Sequence, residues 1–509
     1  MSLHAPVADG GGHGHGHAVV IGQSLAGLTA ARALAHFMDR VTVIERDRPP
    51  PGSGRRRGVP QARHTHRLMT AAQQGLEQLF PGIAADLERA GAVRVRMPAD
   101  MLLLGPDGWL PRHDTGHSML SAGRDLIDAV VRDRLRAEPK VAFLNEHEVV
   151  ALQGGPNDTV TGVWVRGRHR QAPGGLGPAH LISADFVVDA SGHDSRAPQW
   201  LAALGYQPPR ESVTAAPSAC ASAVFAPPVG HVADWKSLFL AAAPGDSRQG
   251  MLHPVEGGRW SVSLWAGDGE PPPTDHAGLL RAAGALRHPL LRDVIEAATP
   301  LGPVYGWTPG AHRWRRYEKL RRFPDRFLVV GDALATLDAA HGQGMTLAVE
   351  CALVLDCMLT VHGTATGLSH RLRRALAHHV APAWKLSARN LRAAGGNSDV
   401  PARPGRRRRW AARFGRRWAG RIAGAAAAGP HTATLLHQRP RTTAPPGTGP
   451  GPAAGMPPST THGPNARRRR PAAPPVPASG VGAGTPGPRP AGSSAQWPTT
   501  APAGERRRP

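Results

Sequence analysis

The chain has 509 residues and a formal net charge of +24, long enough for two or three domains and a large core. That charge would suit a nucleic-acid binder if it were spread evenly, but residues 401–509 hold 19 arginines, no lysine and one acid, Glu505, for a net +18. Residues 1–400 carry only +6, from 42 basic against 36 acidic side chains, so the body reads as a mildly basic globular protein without a nucleic-acid partner.

Residues 1–16 read as a flexible lead-in, ending in glycine–histidine alternation and lacking the basic region and apolar core of a signal peptide. Residues 18–21 and 41–44 are short apolar runs suited to strands buried on both faces. Between them Gly22-Gln23-Ser24-Leu25-Ala26-Gly27 turns the chain into a helix of alanines and leucines. Gly22 permits the tight turn, and Gly27 lets helix and strand pack closely. Ser24 stands where backbone must approach a phosphate; it is small, and its hydroxyl can bond a phosphate oxygen. The helix N-terminus points free N–H groups and a positive dipole at a pyrophosphate. Glu45, closing the second strand, is placed to accept hydrogen bonds from ribose hydroxyls. A crossover that binds nothing is the alternative, but strand, helix, second strand and acid together favour a dinucleotide.

After Arg46 come a Pro/Gly/Arg loop over 49–57 and the run Gly58-Val59-Pro60-Gln61-Ala62-Arg63-His64-Thr65-His66-Arg67-Leu68, with a helix expected from near His66. His64 and His66 lack an acidic or cysteine partner at ligand spacing, so no metal site is expected. Residues 92–122 read as strands with turns at 105–108, and 126–137 as a helix with Arg124 at its first turn. Strands are expected over 141–152, 160–166 and 181–189, the last running into the small-residue turn Ala190-Ser191-Gly192. Residues 205–321 are rich in turns, and 258–266 alternate with Trp260, Val262 and Leu264 on one face, which suggests a separate, largely antiparallel sheet. A helical piece is expected over 275–298. Trp307, Trp314 and Tyr317 are candidates for a substrate wall, with core packing as the equal alternative.

Residues 327–330 return to a buried strand, closed by Gly331-Asp332-Ala333. The loop through His341, Gly342, Gln343, Gly344 and Met345 then starts a long apolar helix over 346–359. This is a second arrangement able to hold hydroxyls with a carboxylate and negative charge with a helix N-terminus. Cys220, Cys351 and Cys357 have no ligand spacing, so buried reduced thiols and a cytoplasmic protein are expected. No apolar run reaches membrane-spanning length by this reading. Residues 396–509 read as a disordered Pro/Ala/Arg-rich tail. Between Arg406 and Ala423 the spacing of Trp410, Phe414, Trp418 and Ile422 gives a basic amphipathic helix, which either lies on an anionic membrane surface or docks on the body.

Three separated motifs now stand in one order: Gly22-x-Ser24-x-x-Gly27 with Glu45, then Asp189-Ala190-Ser191-Gly192, then Gly331-Asp332 with Gly342-Gln343-Gly344-Met345. Together with the Gly58-Val59-Pro60-Gln61-x-Arg63-His64-x-His66 loop they resemble the FAD-dependent monooxygenases of the para-hydroxybenzoate hydroxylase type, group A of the flavoprotein monooxygenases, over residues 17–395. The resemblance implies an α/β fold: a Rossmann-like, glutathione-reductase-like FAD-binding domain (17–204 and 322–395) with an inserted, mainly antiparallel substrate domain (205–321, joined by part of 92–122). It implies that Gly22, Ser24, Leu25, Ala26 and Gly27 cradle the FAD pyrophosphate and Glu45 the adenosine ribose. Arg46 and Arg124 would contact the dinucleotide, Gly331 and Asp332 the ribityl chain, and Gly342, Gly344 and Met345 the flavin's pyrimidine edge. It further implies NAD(P)H as reductant and O2 as co-substrate, with a flavin C4a-hydroperoxide delivering one oxygen atom to an apolar or aromatic small molecule. No catalytic acid or base follows from the residues; His341 is the nearest candidate, with loop packing as the alternative. Two departures stand out: Ser191 replaces the aspartate usual in the second motif, and alanine replaces the proline before the third motif's loop. A dehydrogenase, reductase or halogenase on the same fold, and a non-catalytic flavin-binding protein tethered by its tail, are the other readings.

Overall fold

The five buried residues of His17–Ile21 form the middle strand of a five-stranded sheet. Its order is Phe327–Val329, Phe186–Asp189, His17–Ile21, Arg40–Glu45, Val141–Asn145, and every pairing is parallel. Strands of this kind are apolar throughout because both faces are covered, here by helix Leu25–Ala35 and by the antiparallel strands His147–Gly155 and Thr159–Arg168. The computed structural model describes residues 16–393, apart from 57, 169–174, 215–218, 244, 268, 309 and 338–341. The expected lead-in, the tail, the helix expected between Arg406 and Ala423, and His341 therefore lie outside the described residues.

Registers align the carboxyl ends of the strands. Ile21 pairs with both Ile44 and Asp189, and Asp189 with Val329. The turns that follow all three motifs therefore open on one edge of one sheet, although the chain visits them far apart. Helix Leu25–Ala35 covers one face of the sheet, and helix Gln343–His362 packs on it. The latter is 20 residues long and apolar enough to cross a membrane, contrary to the reading from sequence. It is the core helix of this domain, lying between Leu25–Ala35 and Leu368–Ala393.

The remaining sheets are mostly antiparallel. An eight-stranded sheet among the described residues is built mainly from 220–307, and Met101–Gly105 and Gly108–Trp109 extend it. Its core is Trp260, Val262 and Leu264, packed on Leu279 and Leu291 from two helices. Met101–Gly105 enters parallel to Ser237–Leu240; the other pairings in this sheet are antiparallel.

Local expectations failed where tertiary pairing claimed the backbone. No helix begins at His66: Arg67–Leu68 pairs with Ser121 and Leu120, and the helix is Thr70–Leu79. The strand expected over 181–189 is two. Leu176–Ser183 pairs antiparallel with Thr159–Arg168, while Phe186–Asp189 joins the parallel sheet. The chain changes sheets at Asp185, whose carboxylate accepts the His17 N–H at 2.8 Å and whose own N–H donates to the His17 carbonyl. The helical stretch expected over 275–298 is divided into His276–Gly284 and Leu290–Glu296, with Pro289 capping the second. Cys220 and Cys351 are buried thiols, but Cys357 is exposed on an outer face of its helix.

Candidate functional site

The first motif is held by two close approaches. Gly22 has φ +103°, and a Cβ there would lie 2.6 Å from the Ala190 carbonyl oxygen. A Cβ on Gly27 would lie 1.9 Å from the Gly22 oxygen. Glycine is therefore required where the first turn crosses the Asp189 turn and where helix meets strand. Ser24 caps the helix in extended conformation without a side-chain cap bond, and the first turn holds no acid. The helix N-terminus is thus left to whatever lies in front of it.

In front of it is a cavity of ≈ 420 Å³ that runs from Glu45 and Arg46, past Gly22, Ser24, Ala26 and Arg124, to Asp332, Gly342, Gly344 and Met345. Leu25, Gly27 and Gly331 lie behind this surface: Leu25 is fully buried in the core, and a Cβ on Gly331 would stand 2.6 Å from the Ala26 Cβ. That last approach joins the third motif to the first helix.

At one end the lining is a buried ionic network. Glu45 accepts hydrogen bonds from the Gln23 N–H (3.0 Å), the Asp47 N–H (3.1 Å) and Arg56 Nη2 (2.6 Å). Arg56 also donates to the Gln23 carbonyl and approaches Asp128 at 3.5 Å. Arg124 donates to Asp128 at 2.8 Å and to Ser24 Oγ at 2.9 Å. The Ser24 hydroxyl is thus an acceptor for Arg124. Arg46 stands at the rim, half-exposed beside Asp47.

The second motif is a sealed turn. Asp189 is fully buried and accepts from the Ser191 N–H (2.9 Å) and Ser195 Oγ (2.5 Å). Burial raises its pKa against these hydrogen bonds. Ser191, Gly192 and His193 line the cavity. Farther along, the Asp332 carboxyl is also raised by burial, opposed by Arg124 and His193. Gly342 begins helix Gln343–His362 with φ +62°, so Gly344 and Met345 occupy its first turn. Arg67, its pKa lowered by burial to about 10, lies against Gly342.

The opposite wall comes from the eight-stranded sheet and the 58–68 loop, and it is largely aromatic, with the Arg67 guanidinium among its lining side chains. His64, Thr65, Cys220, Trp265 and Trp307 line it. The His64 ring lies over Trp307, with centroids 5.3 Å apart and planes at 32°. Trp314 and Tyr317 are instead buried in the core, away from this wall. Burial, reinforced by Arg55 and Arg63, lowers the His64 pKa to about 4; burial and Arg124 lower that of His66 to about 3. No group of three metal-ligating side chains occurs among the described residues.

Sequence reasoning pointed to the arginines of the 49–57 loop only as a group, for phosphate or a flavin edge, and did not single out Gln23, Asp128 or the hydroxyls around His64. Arg56 and Asp128 come from separate segments whose approach no spacing announces. The serines had a signal: with Trp260, Val262 and Leu264 facing the core, Ser261, Ser263 and Trp265 must face the other way.

The residues fit FAD. Both amide atoms of Gln23 are buried with no partner among the described residues, beside a helix N-terminus that is uncapped by side chains. Such orphans are costly unless a ligand meets them.

A family model described as FAD binding domain matches residues 16–389. Protein Rv3254 of Mycobacterium tuberculosis is 34% identical over 397 residues, covering 73% of this chain and 79% of that one. A kynurenine 3-monooxygenase of Salinispora arenicola is 28% identical over 371 residues, covering 68% and 72%. Among solved structures, PqsL of Pseudomonas aeruginosa, described as a probable FAD-dependent monooxygenase, superposes with a TM-score of 0.53 at 18% identity, covering 73% of this chain and 93% of that one. The myxobacterial chondrochloren halogenase CndH gives 0.57 at 18% identity, covering 80% and 90%. These two share the fold. With its three glycine-bearing turns opening on one cavity, this chain belongs to the FAD binding domain family and is a flavoprotein oxidoreductase of the para-hydroxybenzoate hydroxylase type.

Proposed function

We propose that the protein is an FAD-dependent monooxygenase that takes electrons from NAD(P)H and places one oxygen atom from O2 on an apolar or aromatic small molecule. The observation that carries this reading is the single cavity: Glu45 lines one end, Asp332 and the Gly342 helix start line the other, and an aromatic wall faces them.

The roles follow from charge and position. Gly22, Ser24 and the helix start behind them would receive the pyrophosphate, with Arg124 adding positive charge beside Ser24. Glu45 would accept from the ribose, held in place by Arg56 and the Gln23 N–H. Asp332 would accept from the ribityl hydroxyls. Bound flavin supplies the redox and oxygen chemistry. The N-terminus at Gly344 and Met345 would stabilise negative charge at the ring's pyrimidine edge. Trp265, Trp307 and Cys220 would exclude water and seat the substrate.

The test is direct. Purified protein should be yellow; NADPH or NADH added without oxygen should bleach it; substrate should couple that oxidation to O2 uptake. Retention of colour with both donors removes the oxygenase reading. A halogenase has support from the CndH likeness, and a halide requirement for product formation would favour it. Bleaching without substrate-dependent oxygen uptake would favour a dehydrogenase.

A further inference from the structure

Behind His64 lies a chain of hydroxyls that belongs to none of the three glycine motifs. His64 Nδ1 is 2.8 Å from Ser222 Oγ, which is 2.6 Å from Ser263 Oγ. Ser263 Oγ is 2.7 Å from Thr65 Oγ1, and Thr65 Oγ1 is 2.9 Å from Ser261 Oγ. The Thr65 N–H also donates to Ser263 Oγ, at 3.1 Å. Ser222 and Ser263 are fully buried.

Each hydroxyl carries one hydrogen and two lone pairs, so the chain has two complete arrangements. In one, Ser261 donates to Thr65, Thr65 to Ser263, Ser263 to Ser222 and Ser222 to His64 Nδ1; the imidazole hydrogen is then on Nε2. In the other every donation reverses, Nδ1 carries the hydrogen and Nε2 is a bare acceptor. Ser263 accommodates the fixed Thr65 N–H in both. Within the described residues His64 Nε2 has no hydrogen-bond partner, yet it is not among the sealed, unpartnered atoms, and the residue lines the cavity beside Trp307. A nitrogen in that position meets whatever lies against the aromatic wall.

We propose that His64 sets substrate choice: Nε2 hydrogen-bonds an uncharged polar group on the edge of a flat ring resting against Trp307, and reversal of the Ser222–Ser263–Thr65–Ser261 chain lets the same nitrogen donate or accept. The proposal uses the oxygenase reading only in calling the occupant a substrate; the binding site stands without it. It also explains why the hydroxyls are clustered: an apolar wall of the same shape would need none of them, and the buried hydroxyls of Ser222, Ser261 and Ser263 are tolerated only when bonded.

The experiment uses the full chain loaded with FAD and three bicyclic probes of one shape: indene, with no polar group; 1-indanone, an acceptor; and indole, a donor. Dissociation constants are measured by calorimetry, and oxygen uptake is recorded separately, so failure of the oxygenase reading leaves the binding result interpretable. One neutral hydrogen bond gives about tenfold in affinity, so 1-indanone and indole should each bind about tenfold tighter than indene. His64→Phe keeps the stacking and removes the nitrogens; both advantages should fall below about twofold while indene binds as before. Ser222→Ala keeps the imidazole and cuts the chain. Nδ1 is then left with the Cys220 thiol at 3.8 Å, a weak donor and a weak acceptor. A poorly met lone pair costs less than a poorly met N–H, so the hydrogen stays on Nε2; the 1-indanone advantage should persist and the indole advantage should vanish. The proposal is overturned if His64→Phe retains both advantages, if it weakens all three probes equally, or if Ser222→Ala affects 1-indanone and indole alike.

Discussion

The two ends of the cavity are built on opposite electrostatic plans. Around Glu45 the walls are ionic: Arg56 and Arg124 interlock with Glu45 and Asp128, all buried. Around His64 the lining is mostly uncharged: a depressed imidazole, a chain of hydroxyls, a thiol pushed up to about 12, and two tryptophans, with Arg67 the lining cation from the same loop. A fixed, charged ligand part is well served by preset charges, whose desolvation is met within the protein. A variable, uncharged ligand is better read by groups that hydrogen-bond weakly and reversibly. The difference teaches that cofactor retention and substrate choice are separable in this chain, and mutations should sort accordingly.

The largest effect is expected at the ionic end. Arg56→Met strands Glu45 without its cation, while Asp128 keeps Arg124 at 2.8 Å, and losing one partner of a buried pair costs about 3–5 kcal/mol. Chemical denaturation should show that loss, and the purified variant should carry little flavin. Gly27→Ala comes next, because its methyl must displace the Gly22 carbonyl, 1.9 Å away; overpacking of this kind costs about 3 kcal/mol, read as a lowered melting temperature with flavin released first. Asp332→Asn keeps the shape and removes the charge. Hydrogen bonds to a charged acceptor contribute about 1.5–3 kcal/mol, so FAD titrated into apoprotein should bind about ten- to hundredfold more weakly, with the melting temperature little changed.

Acid should act at the wall around His64, as at the other buried imidazoles, His17 and His253. His64 and His66 have folded pKa values near 4 and 3, below the ordinary 6.5. Between those limits the unfolded chain binds protons that the folded chain refuses. Their contribution to stability is therefore complete above pH 6.5 and declines as pH falls toward 4. Denaturation midpoints should fall over that window, and His64→Phe should make the fall shallower by up to one proton; an unchanged slope would show that His64 is already protonated in the fold. Least affected should be Arg46→Ala: its side chain is half-exposed at the rim, and exposed pairs contribute about 0–1 kcal/mol. A change in flavin affinity well beyond fivefold would move Arg46 into the ionic end proper.

Much of the lining between Glu45 and Asp332 was legible in the sequence, because close backbone approaches leave glycines and strand ends leave acids at fixed offsets. Gly22, Gly27, Glu45 and Asp332 could be found that way. Arg56 and Asp128 could not, since their pairing depends on a loop folding back on a helix, which local spacing does not encode. The wall around His64 was half legible: the alternation at Trp260, Val262 and Leu264 fixed which face met the core, and by subtraction which face carried Ser261 and Ser263. What stayed hidden was that His64, from a distant loop, would land on those serines. The errors at His66 and Asp185 have one cause, that sheet partners supplied from elsewhere overrode local pattern.

The bare Cα of Gly331 against Ala26 has a consequence for how the protein is made. Residues near the two ends of the domain must touch before the groove exists, so a ribosome that has delivered the first three hundred residues holds a chain with no place for flavin. A groove lined from Glu45 to Met345 is therefore complete only once the chain has passed the Gly342 turn.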